Sequence, residues 1–207
     1  MIWLYTNLLP LSVLTLGELT NQLLKVEREY VRKLVHTLSG LMVIAFSLAF
    51  GLSATAWLCI LALPFILVAR KWTLVQSVYQ VGRVSIGEVL FPVGVIAAAL
   101  LAQDVSSFVF SVLVLSFADS SASLIGNRFG TKGLSIFANR KSYAGSLTFL
   151  AVTFTLGLGF VAAGAISLPV LLILAISLTL VETICVFGTD NLALPVASVL
   201  LLQFLVA

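Results

Sequence analysis

The chain has 207 residues, of which 61% are hydrophobic and only 9% are charged, and its mean hydropathy is +1.20. This composition excludes an ordinary soluble domain, and the apolar runs lack the strict alternation of a membrane barrel. The sequence therefore predicts an all-α integral membrane protein, a polytopic bundle of about eight transmembrane helices in one domain, 1–207. The formal charge of +3 is not a nucleic-acid signal, because the basic residues lie in predicted loops between apolar runs.

Apolar runs of about 20 residues, separated by turn residues, define the predicted spans. Gly51 to Ser53 and Gln103-Asp104 carry the turn signals at two of the joints. The spans are predicted at 2–17, 35–52, 54–69, 86–102, 105–126, 146–165, 168–187 and 190–207.

The basic residues lie in alternate loops, because every Lys and Arg falls in the first, third or fifth predicted loop. The positive-inside rule makes that face cytoplasmic and places both termini outside. Four acids that are unusual in so apolar a chain lie at or near the same face, whereas Asp104 marks a loop on the opposite side. These four are Glu88, Asp119, Glu182 and Asp190. Acids and cations gathered at one face indicate a cation-bridged polyphosphate site that is open to the cytosol.

The first basic loop, 17–33, is predicted to contain a short amphipathic helix on the membrane surface. At its end Arg32 and His36 are four residues apart, so they share one helical face beside Lys33, where the second span begins. Anchoring to lipid headgroups is the alternative role for the two cations. A capping or packing role is the alternative for His36.

Glu88 lies at the start of the fourth span, where an ionised carboxylate needs a cationic partner, a metal ion or water. Pro92 follows one turn later and can interrupt the helix, which frees backbone carbonyls to line a cavity. Glu88 is therefore a candidate catalytic or metal-binding residue. Simple placement at the membrane interface is the alternative.

The most polar stretch of the chain, 117–146, contains the densest set of candidates. Asp119, Ser123, Gly126 and Gly130 recur at i, i+4, i+7 and i+11, so a carboxylate, a hydroxyl and two glycines share one helical face. Cations and small residues follow at Lys132, Arg140, Lys141, Gly145 and Ser146. An acid that can hold a divalent cation, together with cations and glycines, suits a metal–nucleotide or polyphosphate. The alternative is a polar helix end with ordinary cytoplasmic positive charge.

Two further acids lie near the end of the chain. Glu182 falls within the seventh span, and Asp190-Asn191 begins the eighth. An ionisable residue inside a span is a functional candidate by default. Asp190 also suits the N-cap of the last helix, and the two roles are compatible.

Three ordered elements resemble the signature of the CTP-dependent polyprenol kinases, the family of dolichol, phytol and farnesol kinases. They are Asp119-x-x-Ala122, Gly126-x-x-x-Gly130-x-Lys132 and Arg140-Lys141-Ser142-x-x-Gly145-Ser146. Further family elements are similar to Arg32-Lys33 with His36, Gly87-Glu88 with Pro92, and Glu182 with Asp190-Asn191-Leu192 and Pro195. The segment Lys141 to Ser146 and the short chain resemble phytol kinases more than dolichol kinases. Ser120-Ser121 departs from the family pattern, where glycine or small apolar residues are commoner.

The resemblance implies an enzyme that transfers the γ-phosphate of CTP to a prenyl alcohol, with phytol preferred and farnesol, geranylgeraniol or dolichol as alternatives. Mg²⁺ is expected at Asp119 with Asp190 or Glu88, and the catalytic base is either His36 or Asp190. Phosphate contacts are expected from Arg32, Lys33, Ser123, Gly126, Gly130, Lys132, Arg140, Lys141, Gly145 and Ser146. Glu182 and Asn191 are additional site candidates. The expected partners are the lipid substrate, CTP and membrane lipids, with no nucleic acid, and a homodimer is one option.

Two other function classes fit the same residues. A CTP-dependent cytidylyltransferase or a diacylglycerol kinase would use the same metal–nucleotide chemistry on a membrane lipid. A transporter is the second alternative, since acids inside spans also mark ion pathways. The sequence contains no GxxxxGK[ST] loop and no protein-kinase signature, so the choice of CTP depends on the resemblance alone.

Overall fold

The computed structural model describes residues 2–71, 85–136 and 139–206, with side chains throughout these ranges except at 2–11, 24, 134–136 and 139–140. Residues 72–84 of the predicted third loop, which include Arg83, therefore lie outside the described residues. The helices are α1 (Ile2–Leu24), α2 (Arg28–Lys71), α3 (Gly87–Leu101), α4 (Val105–Leu113), α5 (Asp119–Phe129), α6 (Tyr143–Ala162), α7 (Leu168–Ile184) and α8 (Asp190–Val206). A π-helical turn, Val114–Ala118, joins α4 to α5, and two short strands, β1 (Gly133–Ile136) and β2 (Asn139–Ser142), precede α6.

Helix α2 is a hairpin of two helical arms, 28–50 and 52–71, joined at Gly51. The backbone of Gly51 has φ 83° and ψ 173°, which lies outside the helical region. Glycine reaches this positive φ without steric cost, whereas other residues are strained there. The break predicted at Gly51 to Ser53 is thereby confirmed.

The continuous helix formed by α4, the π-helical turn and α5 lies at the centre of the bundle. Phe108, Phe110 and Leu115 on this helix have no exposed surface. They belong to two apolar clusters, one shared with α2 and α3 and the other with α6 and α7, and α8 contributes to both. Asp104 caps α4 by accepting a hydrogen bond from the backbone N–H of Ser107 at 2.8 Å, consistent with its predicted place in a loop.

The helices have the character of a membrane protein. Among the described residues, three helices are long and apolar enough to cross a membrane: Arg28–Lys71, Val105–Phe129 and Tyr143–Ala162. Three shorter apolar helices accompany them, Gly87–Leu101, Leu168–Ile184 and Asp190–Val206. Large apolar side chains face outward, with exposed fractions of 73% for Leu100, 63% for Leu180 and 81% for Phe204, as a lipid environment favours. The count of eight spans and the orientation stay predictions.

The first loop was predicted to contain a helix and is largely helical, but the bounds of the neighbouring spans were wrong, because α1 continues to Leu24 and α2 begins at Arg28. The polar stretch after α5 is not a plain loop but contains an antiparallel hairpin in which Gly133 is opposite Ser142. The hairpin returns the chain to the end of the bundle where α2, α3, α6 and α8 begin and α7 ends. We call this the polar end.

Candidate active site

A cleft at the polar end brings together side chains that are distant in the sequence. Its walls come from the start of α2, the face of α5, the β2–α6 junction and the turn between α7 and α8. We call it the polar cleft. Of the predicted site residues it is lined by Arg32, Lys33, Asp119, Ser123, Gly126, Lys141, Gly145, Ser146, Glu182, Asp190 and Asn191.

The deepest charged pair in this cleft is formed by Lys33 and Asp119. Their side chains are 4% and 6% exposed, and Lys33 Nζ lies 2.5 Å from Asp119 Oδ2. Asp119 directly follows the π-helical turn, and such turns are frequent at functional sites. Thr37 donates a hydrogen bond to the carbonyl of Ser116 in that turn, at 3.0 Å, which fixes α2 against the central helix. The cleft therefore contains a buried carboxylate whose partner comes from another helix.

His36 lies one turn below Arg32 and beside the same pair. Its Nε2 is 4.0 Å from Asp119 Oδ2 and 3.1 Å from the backbone carbonyl of Leu115. A carbonyl only accepts hydrogen bonds, so this contact assigns the proton to Nε2. In the neutral imidazole Nδ1 is then the nitrogen that can accept a proton. An edge-to-face contact with Phe91, with ring centres 5.0 Å apart, holds the ring in place.

A second ion pair forms the opposite wall. Lys141 on β2 lies 2.5 Å from Glu182 Oε1 and 3.8 Å from Asp190 Oδ2. Burial alone would lower the pKa of Lys141, but the carboxylates of Glu182 and Asp190 outweigh it and hold that pKa above its ordinary value. Ser146 donates a weaker hydrogen bond to Glu182 at 3.4 Å. Lys141 therefore remains a cation at neutral pH and is fixed at the cleft by α7 and α8.

Glu29 is a residue of the site that was not predicted from the sequence. Its carboxylate accepts hydrogen bonds from Arg32 at 3.0 and 2.7 Å and from the hydroxyl of Ser123 on α5 at 3.1 Å. The spacing of three residues between Glu29 and Arg32 was a signal for the first contact. Ser85 and Asn127 also line the polar cleft without having been predicted.

The glycines of the motif allow α5 and α6 to touch. A methyl group added at Gly126 would lie 2.8 Å from Ser142 Oγ and 3.3 Å from the Cα of Gly145. Ser142 caps α6 by accepting from the N–H of Gly145 at 3.1 Å, and its hydroxyl donates to the carbonyl of Gly126 at 3.3 Å. Helix packing therefore already requires small residues here.

The turn before α8 closes the cleft against α3. Phe187 and Gly188 both have positive φ, 56° and 88°, and a methyl group at Gly188 would collide with the backbone of Gly87. Asn191 donates from Nδ2 to the carbonyl of Gly87 at 2.6 Å. A positive φ at a residue such as Phe187 is uncommon and often marks a functional segment.

A second cleft, mostly apolar, adjoins the first between the two arms of α2 and α3. We call it the apolar cleft. Arg32 and Asn191 line both clefts, whereas His36 and Glu88 line only the apolar one. Glu88 is paired there with Arg70 at 2.8 Å. Two of the predicted catalytic residues, His36 and Glu88, therefore line the apolar cleft and not the polar one.

Two predicted phosphate contacts, Gly130 and Lys132, are not among the residues that line the polar cleft. Gly130 packs against Ser142, and Lys132 is exposed at the start of the hairpin. The side chain of Arg140 lies outside the described residues. Their predicted roles stay predictions.

The donor set is compatible with a magnesium ion that shares its coordination with phosphates. Within the described part of the chain there is no cluster of three or more His, Cys, Asp or Glu side chains that could hold a metal by itself. Mg²⁺ typically uses only one or two protein carboxylates and completes its shell with phosphate oxygens and water. Asp119 and Asp190 both line the polar cleft and fit that requirement, whereas Glu88 does not line it.

The fold and the clefts define a helical protein of membrane type, with a buried, charged site where its helices meet and an apolar cleft beside it. Over 201 residues the chain is 28% identical to a phytol kinase from Synechocystis sp., a match that covers 92% of this chain and 85% of that relative. This similarity to a phytol kinase supports the resemblance to the phytol and polyprenol kinases that the sequence predicts. No family model matches the sequence, and no solved structure matches it.

Proposed function

We propose that the protein is a CTP-dependent prenol kinase that phosphorylates the hydroxyl of a prenyl alcohol such as phytol. We further propose that it is a multi-pass protein whose polar end faces the cytosol. The observation that carries this proposal is that the two clefts are adjacent, with Arg32 and Asn191 lining both. A kinase that acts on a lipid alcohol needs a charged site for a triphosphate next to an apolar site. The similarity to a phytol kinase supports the same reaction.

In this proposal the cations of the polar cleft receive the phosphates of CTP. Phosphoryl transfer is catalysed largely by positioning and by stabilising the negative charge of the transferring group. Arg32, Lys33 and Lys141 are fixed for this task, because each is held by a carboxylate. Glu29 on the same helix pairs with Arg32, whereas Lys33 and Lys141 pair with acids on other helices. Arg32 borders both clefts, so it lies where the γ-phosphate would meet the alcohol.

Asp119 and Asp190 would hold Mg²⁺ when the nucleotide is bound, and the ion would supply further neutralisation of phosphate charge. Both residues line the polar cleft, Asp119 at the start of α5 and Asp190 at the start of α8. Their carboxylates already contact cations of the protein, so they are oriented into the cleft before any ligand arrives.

His36 is the residue we propose as the base. It lines the apolar cleft, and its Nε2 is engaged with the carbonyl of Leu115, so Nδ1 can take the proton of an incoming hydroxyl. Asp190, the other candidate base from the sequence, lines the polar cleft and not the apolar one. That position suits a metal ligand better than a base for a lipid alcohol.

The position of a radioactive label in CTP separates this function from its alternatives. Purified protein in detergent, with no gradient, is incubated with CTP labelled at the γ- or the α-phosphate and with phytol, farnesol, geranylgeraniol, dolichol, diacylglycerol or phosphatidate. Transfer of the γ-label to a prenol is expected. Transfer of the α-label to phosphatidate would instead identify a cytidylyltransferase, and γ-label in diacylglycerol alone would identify a diacylglycerol kinase. No transfer of either label to any of these lipids would contradict the proposal.

A further inference from the structure

The apolar cleft has a polar mouth and an apolar, closed floor. Arg32, Glu88 and Asn191 lie at the mouth, beside the polar cleft. Val43, Leu58 and Cys59 lie at the other end and are 2%, 1% and 4% exposed, so buried side chains close the cleft there. The cleft therefore matches a ligand with one polar end and one apolar end.

The two arms of α2 fix the length of this cleft. The first arm lines it from Arg32 to Val43 with residues spaced three or four apart, which is one continuous helical face. Eleven residues at the helical rise of 1.5 Å give a depth of about 16 Å, roughly half the 30 Å thickness of a bilayer's hydrocarbon core. The second arm lines the opposite side with Leu58, Cys59, Ala62 and Ile66.

We propose that the apolar cleft is the binding site for the isoprenoid tail of the acceptor and that its closed floor limits the tail length. This inference rests on the proposed kinase function and adds the subsite and the acceptor class. A hydroxyl at the mouth would lie within reach of His36 and next to Arg32, while the tail runs between the arms of α2. Prenols whose tails fit within the cleft are then preferred over dolichol, whose tail is far longer than the cleft is deep.

Ala62 gives the sharpest test, because it lines the middle of the cleft and its neighbour Leu61 does not. Ala62→Phe would fill the lower part of the cleft. Leu61→Phe is the matched control, since Leu61 is on the outer face of the same arm and 36% exposed. We expect Ala62→Phe to lower kcat/KM for geranylgeraniol by about tenfold or more while geraniol, with a shorter tail, is affected much less. Leu61→Phe should leave the preference among chain lengths unchanged.

A variant that opens the floor gives the opposite expectation. Leu58→Ala lengthens the cleft, so it should shift the preference toward longer prenols, provided that the purified variant has the same elution profile and helicity as the wild type. If folded Ala62→Phe and Leu58→Ala both keep the wild-type order of chain lengths, the tail site is elsewhere. That result would leave the kinase function intact.

Crosslinking tests the site without requiring turnover. A geranylgeraniol analogue with a diazirine at the end of its tail is photolysed with the wild-type protein, and the modified peptides are identified by mass spectrometry. Modification between Val43 and Ala62, suppressed by excess unlabelled geranylgeraniol, is expected. Modification confined to lipid-facing residues such as Leu180, or suppression by phospholipid alone, would overturn the assignment. A wild-type protein that phosphorylates no prenol but gives the expected crosslinks would refute the kinase function and not the tail site.

Discussion

Breaking the ion pair between Lys33 and Asp119 is expected to destabilise the fold as well as to abolish activity. Two unit charges 2.5 Å apart attract by about 7 kcal/mol at an effective dielectric constant of about 20, and much of this attraction offsets the cost of removing both groups from water. Removal of one partner leaves the other charge buried and unpaired, which costs about 3–5 kcal/mol. We therefore expect Lys33→Met to lower the free energy of unfolding by that amount.

A double-mutant cycle separates the pair from other effects of the substitutions. Lys33→Met, Asp119→Asn and the double variant are unfolded by SDS in mixed micelles, with exposed Lys71→Met as the matched control. The double variant should be less destabilised than the sum of the single variants, by about 2–3 kcal/mol. A Lys33→Met variant within about 0.5 kcal/mol of the wild type, or simple additivity, would refute the burial and pairing that we describe.

Three further predictions concern the walls of the polar cleft. Glu182 and Asp190 hold the pKa of Lys141 above its ordinary value, so the stability that Lys141 contributes is fully present below about pH 10 and is lost only as the pH rises above that. Thermal unfolding of the wild type and Lys141→Met from pH 7 to 11 measures this difference, and a difference that has already vanished at pH 8 would contradict the prediction. Gly126→Val should separate α5 from α6 and lower kcat/KM by about tenfold or more. Gly159→Ala is the control and should be neutral or slightly stabilising, because the added methyl group would have no neighbour within 4 Å; equal activities of the two variants would show that the close contact is unimportant. Cys185 is buried and lines the polar cleft, so its reaction with maleimide should be slower than that of free cysteine, and bound CTP should slow it further. Labelling unaffected by saturating CTP would argue against nucleotide in this cleft.

The sequence identified most of the residues in the polar cleft because polar groups are rare in so apolar a chain. Asp119 and Lys141 could be recognised as candidates from the polar stretch 117–146, and Asp190 from its position at the start of the last predicted span. Their pairing could not, because Lys33 and Asp119 are 86 positions apart and spacing along a helix predicts only neighbours three or four residues away. Long-range packing decides which cation faces which acid.

The division of the site into two clefts also could not be predicted from the sequence. His36 follows Arg32 by one turn, so both were predicted on one face, yet only Arg32 also borders the polar cleft. The difference arises because α3 and the second arm of α2 pack below that turn, which no local pattern reveals. For Glu88 the sequence left a cationic partner, a metal ion or water open, and the structure pairs it with Arg70.

The predicted helix boundaries were wrong where a polar stretch still forms its backbone hydrogen bonds within a helix or a hairpin. Residues 17–24 continue α1 because their charged and polar side chains can face outward without interrupting helical hydrogen bonds. The chain after α5 forms a hairpin in which β1 and β2 pair with each other. Such a hairpin is hard to predict, because short polar strands lack the apolar alternation that identifies a strand. In contrast, the break at Gly51 was predictable, because a glycine between two apolar runs is a strong local turn signal.

The central claim is that the polar cleft transfers the γ-phosphate of CTP to a prenol in the neighbouring cleft. It is tested most directly by the rate at which γ-labelled CTP phosphorylates geranylgeraniol with purified wild-type, Asp119→Asn and Asp104→Asn proteins. Asp104→Asn is the matched control, because asparagine also caps a helix and Asp104 lies at the opposite end of the bundle. We expect the wild type and Asp104→Asn to form the labelled prenyl phosphate at similar rates and a folded Asp119→Asn to form almost none. Undiminished transfer by Asp119→Asn would contradict the account.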